Sequence, residues 1–252
     1  MNQYFSFVRF GRLLRKHTAE HFSAYALGSI VLLGGLLAIF SFLSYLNNGA
    51  PSQGGQVAIY TLGLMGAAAF FASTALAEYS QGSSAALALT LPASHFEKYL
   101  VAWLFSVPGV LLVFTAAFYL ADWLVLAAAD RTDGLVNLLD NKTWLRSMLV
   151  YFLLLHAVAL WGSIFFRRQP FVRTGFLLFG VIAILSLLNY GALGLLLGTK
   201  LGFSLPFSWI QLHDGPRLSL PESQVQWLSW VPVALVLLLW PAAYARLTEQ
   251  QL

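Results

Sequence analysis

The chain has 252 residues, of which 59% are hydrophobic and 10% charged, with a formal net charge of +4. An ordinary soluble domain carries roughly a quarter of charged residues, so a water-soluble fold is excluded, because it could not hide this much apolar surface. The basic residues fall in short clusters at the ends of apolar runs, where they set topology and touch lipid headgroups; this excludes the continuous basic face of a nucleic-acid binder. With no cysteine there is no disulfide, thiolate metal site or cysteine nucleophile.

In residues 1–21, Tyr4, Phe5, Phe7, Val8, Leu13 and Leu14 interleave with Arg9, Arg12, Arg15 and Lys16 at helical spacing. This predicts an amphipathic helix lying in the membrane interface. No small-residue cleavage site closes the segment, so it is expected to be retained. His17, Glu20 and His21 spell HxxEH, the pattern of inverted zinc proteases. No third ligand stands at a helical position nearby, so the expected role is interfacial anchoring, with no metal and no other cofactor.

Apolar runs long enough to cross a bilayer, about 20 residues each, then recur along the chain. The first covers residues 22–46 and ends at Asn47, Asn48, Gly49, Ala50 and Pro51, a turn-rich segment. The second, 57–77, is crowded with Gly63, Gly66, Ala67, Ala68, Ala69, Ala72 and Ser73, which let helix backbones approach closely. Further spans are expected at 99–121, 144–166, 174–197 and 227–244. Asp122 and Trp123 mark the end of the third, Pro170 breaks the chain after the fourth, and a proline-containing loop precedes the last. The expected fold is all-α: one polytopic domain of six transmembrane helices. With the N-terminus inside, nine lysines and arginines face the cytoplasm and five lie outside, so both termini are expected to be cytoplasmic.

Three intramembrane polar residues stand out. His156 falls near the middle of the fourth span, where an ionisable group is a functional candidate by default. A neutral imidazole bonded to a neighbouring helix is the cheaper explanation, with Asn189 of the fifth span as a possible partner. Ser186 could nominally pair with His156 as a nucleophile and base, but no glycine-framed motif surrounds it. Nor does any phosphate-binding GxxxxGK[ST] loop occur, so a nucleotide would have to be bound by another subunit.

The most informative stretch is residues 78–98, EYSQGSSAALALTLPASHFEK, between the second and third spans. Glu78 opens it, Gly82 and Ser83 start a short apolar helix, and Leu87, Leu89 and Leu91 lead to Pro92. Ser94 and Glu97 then have the spacing of a capping box that starts a new helix. This pattern of Glu78, Gly82, Ser83, Leu91, Pro92, Ser94 and Glu97 resembles the first cytoplasmic loop of exporter-type (type 2) ABC transporter permeases. In that family the loop runs from an acidic residue through a Gly-Thr pair to a Leu-Pro-x-Ser turn. Here the pair reads Gly82-Ser83, and His95 stands where the family usually has a basic residue, with Lys98 further on. The resemblance implies that residues 82–91 form a coupling helix docking on an ATPase subunit, and that 202–209 form a re-entrant segment in the last outer loop.

The resulting expectation is a permease subunit in the cytoplasmic (inner) membrane. It would pair with itself or with a second permease and with an ABC ATPase subunit, touch membrane lipid and no nucleic acid, and carry no catalytic residue of its own. Few charges inside the spans would suit a lipid-like or amphipathic cargo. A membrane scaffold or assembly factor is the alternative reading, and a membrane-embedded hydrolase a third.

Overall fold

The computed structural model describes residues 5–47, 49–76, 93–166, 168–197, 210–211, 217–218 and 222–249. The helices are α1 (Phe7–Leu46), α2 (Gln53–Ala75), α3 (His95–Ala128), α4 (Lys142–Phe165), α5 (Pro170–Leu197), α6 (Glu222–Leu228) and α7 (Val231–Glu249). Among the described residues one two-residue antiparallel pairing, β1 (Ile210–Gln211) with β2 (Arg217–Leu218), lies between α5 and α6. Among the described residues six helical stretches are long and apolar enough to cross a membrane. The protein is an all-α, multi-pass membrane protein.

Local sequence explains where the helices begin. The Ser52 side chain accepts a hydrogen bond from the Gly55 N–H (3.2 Å) to start α2, and Asn141 accepts from the Trp144 N–H (3.0 Å) to start α4. Pro170 is the first residue of α5, a position where its missing N–H costs nothing. α3 ends with Asp130 in the left-handed region (φ 52°) while the Arg131 N–H bonds the Leu126 carbonyl at 2.9 Å, the Schellman pattern that satisfies a terminal carbonyl.

Two boundaries differ from the sequence-based expectation. Residues 1–21 were expected as a separate interfacial helix, but from Phe7 onward they continue without a break into the first span. Charge governs how deep a residue sits, not whether the helix goes on, and nothing between Phe7 and Leu46 is a proline. At 1.5 Å per residue α1 is about 60 Å long, twice the hydrocarbon thickness of about 30 Å. α3 runs past Asp122 and Trp123 to Ala128, because Asp122 is buried against the bundle instead of marking its edge. The expected start of the last span at Trp227 agrees with the apolar stretch Gln226–Glu249, within which the chain passes from α6 through a turn at residues 229–230 into α7.

α4 is the centre of the bundle: it is the most deeply buried of the spanning helices and packs against α2, α5 and α7. α1 and α3 run side by side in one direction, with Ser6 beside Glu97, His17 beside Phe105 and Phe40 beside Phe118. The core has two apolar layers. One is built from Phe40, Leu64, Phe114, Phe118 and Phe152; the other from Leu76, Tyr99, Leu160, Ile164 and Leu247. Close contacts require glycine at two places: a Cβ on Gly63 would lie 2.6 Å from the Phe114 ring, and one on Gly162 would collide with Thr174 of α5.

One end of the bundle is closed by a loop. Gln56, fully buried, donates to the carbonyls of Gly134 (3.0 Å) and Pro51 (3.2 Å) and accepts from the Val136 N–H (2.9 Å). This pulls Val136 and Leu138 into the apolar core.

Candidate functional site

At the opposite end of the bundle from Gln56, Ser94 and Glu97 form a reciprocal capping box: the Ser94 hydroxyl accepts from the Glu97 N–H (3.2 Å), and the Glu97 carboxylate accepts from the Ser94 N–H (3.0 Å). The same carboxylate also accepts from the Ser6 N–H at 2.8 Å and from the Arg9 guanidinium at 3.2 Å. Glu97 is fully buried, so its charge is held by three groups in place of water. Phe5 packs edge-on against Phe96 beside it. One side chain therefore starts α3, caps it and clasps the beginning of α1 to it. Of the other residues expected to couple to an ATPase, Glu78, Gly82, Ser83, Leu87, Leu89, Leu91 and Pro92 lie outside the described residues, as does the segment 202–209.

The second polar station lies between the two apolar layers. His156 is fully buried on α4 and is bonded on both ring nitrogens: Trp240 Nε1–H of α7 donates to Nδ1 (3.3 Å), and Nε2 pairs with the Ser106 hydroxyl of α3 (2.8 Å). An indole N–H can only donate, so Nδ1 is the acceptor and Nε2 carries the proton. Ser106 then accepts from Nε2 and donates its own proton to the Ala102 carbonyl at 2.7 Å. Every polar atom of the chain Trp240, His156, Ser106, Ala102 is satisfied with a neutral ring, and a second ring proton would meet the Trp240 N–H head on. The arrangement joins three helices. Asn189 is half-buried on α5, and no hydrogen bond among the described residues joins it to His156. Ser186 bonds the carbonyl of Ile182 on its own helix at 2.8 Å, so the described structure does not assemble a Ser186–His156 pair.

Ser106 reaches His156 from an irregular segment. Residues Phe105–Gly109 of α3 form a π-helical turn with Pro108 inside it. Proline cannot donate to the preceding turn and its ring displaces the carbonyl four residues back, and the widened turn relieves both problems. Beside this turn, α1, α2 and α3 enclose a cavity of about 510 Å³. His17, His21 and Tyr25 of α1 line one end of it, level with Thr74 and Ala75 in the last turn of α2; Leu32, Ala67 and Phe114 line the other. His17 Nε2 lies 2.8 Å from the Tyr25 hydroxyl, and the Tyr25 ring stacks on Phe105. Glu20 pairs with Lys16 at 3.6 Å on the helix surface. The His17 and His21 rings lie 4.4 Å apart, and among the described residues no group of three or more His, Asp or Glu side chains that could hold a metal ion is found.

Sequence reasoning placed His156 at depth but missed its partners. Pro108 in mid-span was the available signal for an irregular turn there. Nothing in the letters marked Trp240 or the pairing of Arg9 with Glu97, which join residues 84 and 88 positions apart in sequence.

No family model, no curated protein and no solved structure matches this chain. What the fold and these stations define is a polytopic α-helical membrane protein. It has an ionic clasp at one end, a satisfied polar layer at mid-depth and a cavity on one flank.

Proposed function

We propose that this chain is the membrane-spanning subunit of an ABC exporter, seated in the cytoplasmic membrane with both termini inside. It works as a homodimer or with a second permease, and it is driven by a separate ATPase subunit that performs the hydrolysis. The observation that carries this reading is the clasp at Glu97. Residues 78–92, which resemble the coupling loop of such permeases, run directly into Ser94 and Glu97, and Glu97 is bonded to the start of α1 as well as to α3. A displacement delivered to that loop by nucleotide-driven closure would be passed to α1 and α3 together, as rigid-body movement of helices requires. The six spanning helices and the apolar, sparsely charged flanks suit an amphipathic or lipid-like cargo.

The test is purification in mild detergent from the native membrane. An ATPase subunit should copurify, and Leu87→Asp with Leu89→Asp should uncouple its hydrolysis from transport while leaving insertion intact. Recovery of the chain without any ATPase, or normal coupling in that double variant, would leave the scaffold reading in its place.

A further inference from the structure

We propose that Asp122 is a proton site: a neutral carboxylic acid sealed inside the bundle, which meets water and releases its proton when the loop held by Gln56 lifts. This goes beyond the transport reading and stands whether or not an ATPase drives the protein.

Asp122 is fully buried on α3, and neither carboxyl oxygen has a hydrogen-bond partner among the described residues. Its neighbours one turn away on the same helix are apolar: Phe118 packs against Phe40 and Tyr60, and Leu126 lies against Gly134. The equally buried Glu97 and His156 differ in this respect, since Ser6, Ser94 and Arg9 bond the first and Ser106 and Trp240 the second. A carboxylate carried into apolar surroundings without donors is so unfavourable that the group takes up a proton instead.

Tyr119, Asp122 and Leu126 form one stripe along α3, spaced three and four residues apart. The loop that follows α3 lies over both ends of that stripe: the Leu138 N–H reaches the Tyr119 hydroxyl (3.4 Å), and Gly134 sits against Leu126. Between these contacts Val136 is buried, with its N–H bonded to Gln56 at 2.9 Å. Asp122 therefore lies beneath the segment that Gln56 holds down. It stands about 37 Å along α3 from Glu97, at the loop end of a hydrocarbon layer about 30 Å thick, so this loop is what keeps water from it.

Donors of the covering loop are spent elsewhere. Gln56 gives its amide hydrogens to the Gly134 and Pro51 carbonyls, and the N–H groups of Gly134, Leu135, Val136 and Leu138 go to Arg131, Thr132, Gln56 and Tyr119. No cation takes their place. The facing stretches of α1 (36–46) and α2 (53–64) carry only Tyr45 and Tyr60 as titratable groups; Tyr45 is exposed and Tyr60 is bonded to Thr115. Asp130, Arg131, Asp133 and Asp140 of the loop, and Lys142 and Arg146 of α4, are all exposed. Nor do the described residues gather three His, Asp or Glu side chains that could share a metal ion with Asp122. A proton needs no such set of ligands. When the loop lifts, the O–H bond breaks, its electron pair stays on the carboxylate, and the proton passes to water on the loop's side of the membrane.

The experiment is infrared spectroscopy of the full chain in detergent at neutral pH. The expected result is an acid carbonyl band on the high-frequency side of amide I, shifted by isotope-labelled aspartate and absent in Asp122→Asn. In heavy water the deuterium shift of that band should appear on the order of tenfold faster in Gln56→Ala, whose loop is left unpaired and opens more often. The melting temperature of Asp122→Asn should lie within about 2 °C of the unaltered protein's or above it, because an amide of the same shape replaces a neutral acid. An absent band, a band that survives in Asp122→Asn, exchange equally fast with and without Gln56, or a larger drop in the melting temperature of Asp122→Asn would each overturn the proposal. Should Gln56→Ala fail to fold, Gln56→Asn, which keeps the amide but shortens its reach, is read in the same way.

Discussion

The two ends of the bundle are each closed by one fully buried polar side chain, but by different physics. Gln56 is neutral and bonds three backbone groups of the preceding turn and the 129–141 loop. Glu97 is charged and bonds two backbone N–H groups and one guanidinium from a different helix. A neutral clamp on backbone is indifferent to salt and to charge. An ionic clasp is stronger while made and costly when one partner is lost. The difference shows that the two ends of one bundle can be closed by interactions with different sensitivities to salt and to loss of charge.

The largest effect is expected where the ionic clasp is broken. Glu97→Ala removes the cap of α3 and the charged hydrogen bonds to Ser6 and Arg9, and should lower stability by about 2–4 kcal/mol. Thermal unfolding in detergent would show it, and amide exchange should rise in residues 6–10 and 94–98 alone. If exchange rose throughout the bundle, the clasp would be a general core element and the contrast between the ends would fall. Gln56→Ala should cost about 1–3 kcal/mol, for backbone groups of the loop left unpaired. Its effect should be the same at low and high salt, whereas the penalty of Arg9→Ala should shrink as salt screens the pair; a salt-dependent Gln56 variant would erase the distinction drawn here. The smallest effect is expected at mid-depth, where His156→Gln can keep one of the two bonds, and a loss of about 1 kcal/mol or less follows from one net hydrogen bond. Under the proposed permease function, transport should persist in that variant. Abolished transport in a normally folded His156→Gln protein would turn a structural layer into a proton or substrate station.

The fold was legible where composition and length decide. Runs such as 144–166 and 174–197 lie within a few residues of α4 and α5, since a backbone in hydrocarbon has to satisfy its own hydrogen bonds and a helix is the way to do so within one segment. Caps such as Ser94 were legible too, because they depend on residues three positions apart. The continuity of α1 was not, because a basic amphipathic stretch is written in the same letters whether it bends into the interface or continues a span. The candidate site was legible in part: His156 was visible as an anomaly of depth, but its partners Ser106 and Trp240 lie 50 and 84 residues away.

By itself, then, the order of residues determined that this is a membrane protein, how many times it crosses and where several of its helices begin. These follow from hydropathy over about 20 residues and from contacts within one helical turn. Tertiary structure alone decided which flank carries a cavity, that the α3 π-turn faces His156, and that one carboxylate ties α1 to α3. Each of these depends on which helices become neighbours, and lipid contributes no periodic signal to tell a helix face that meets protein from one that meets an acyl chain.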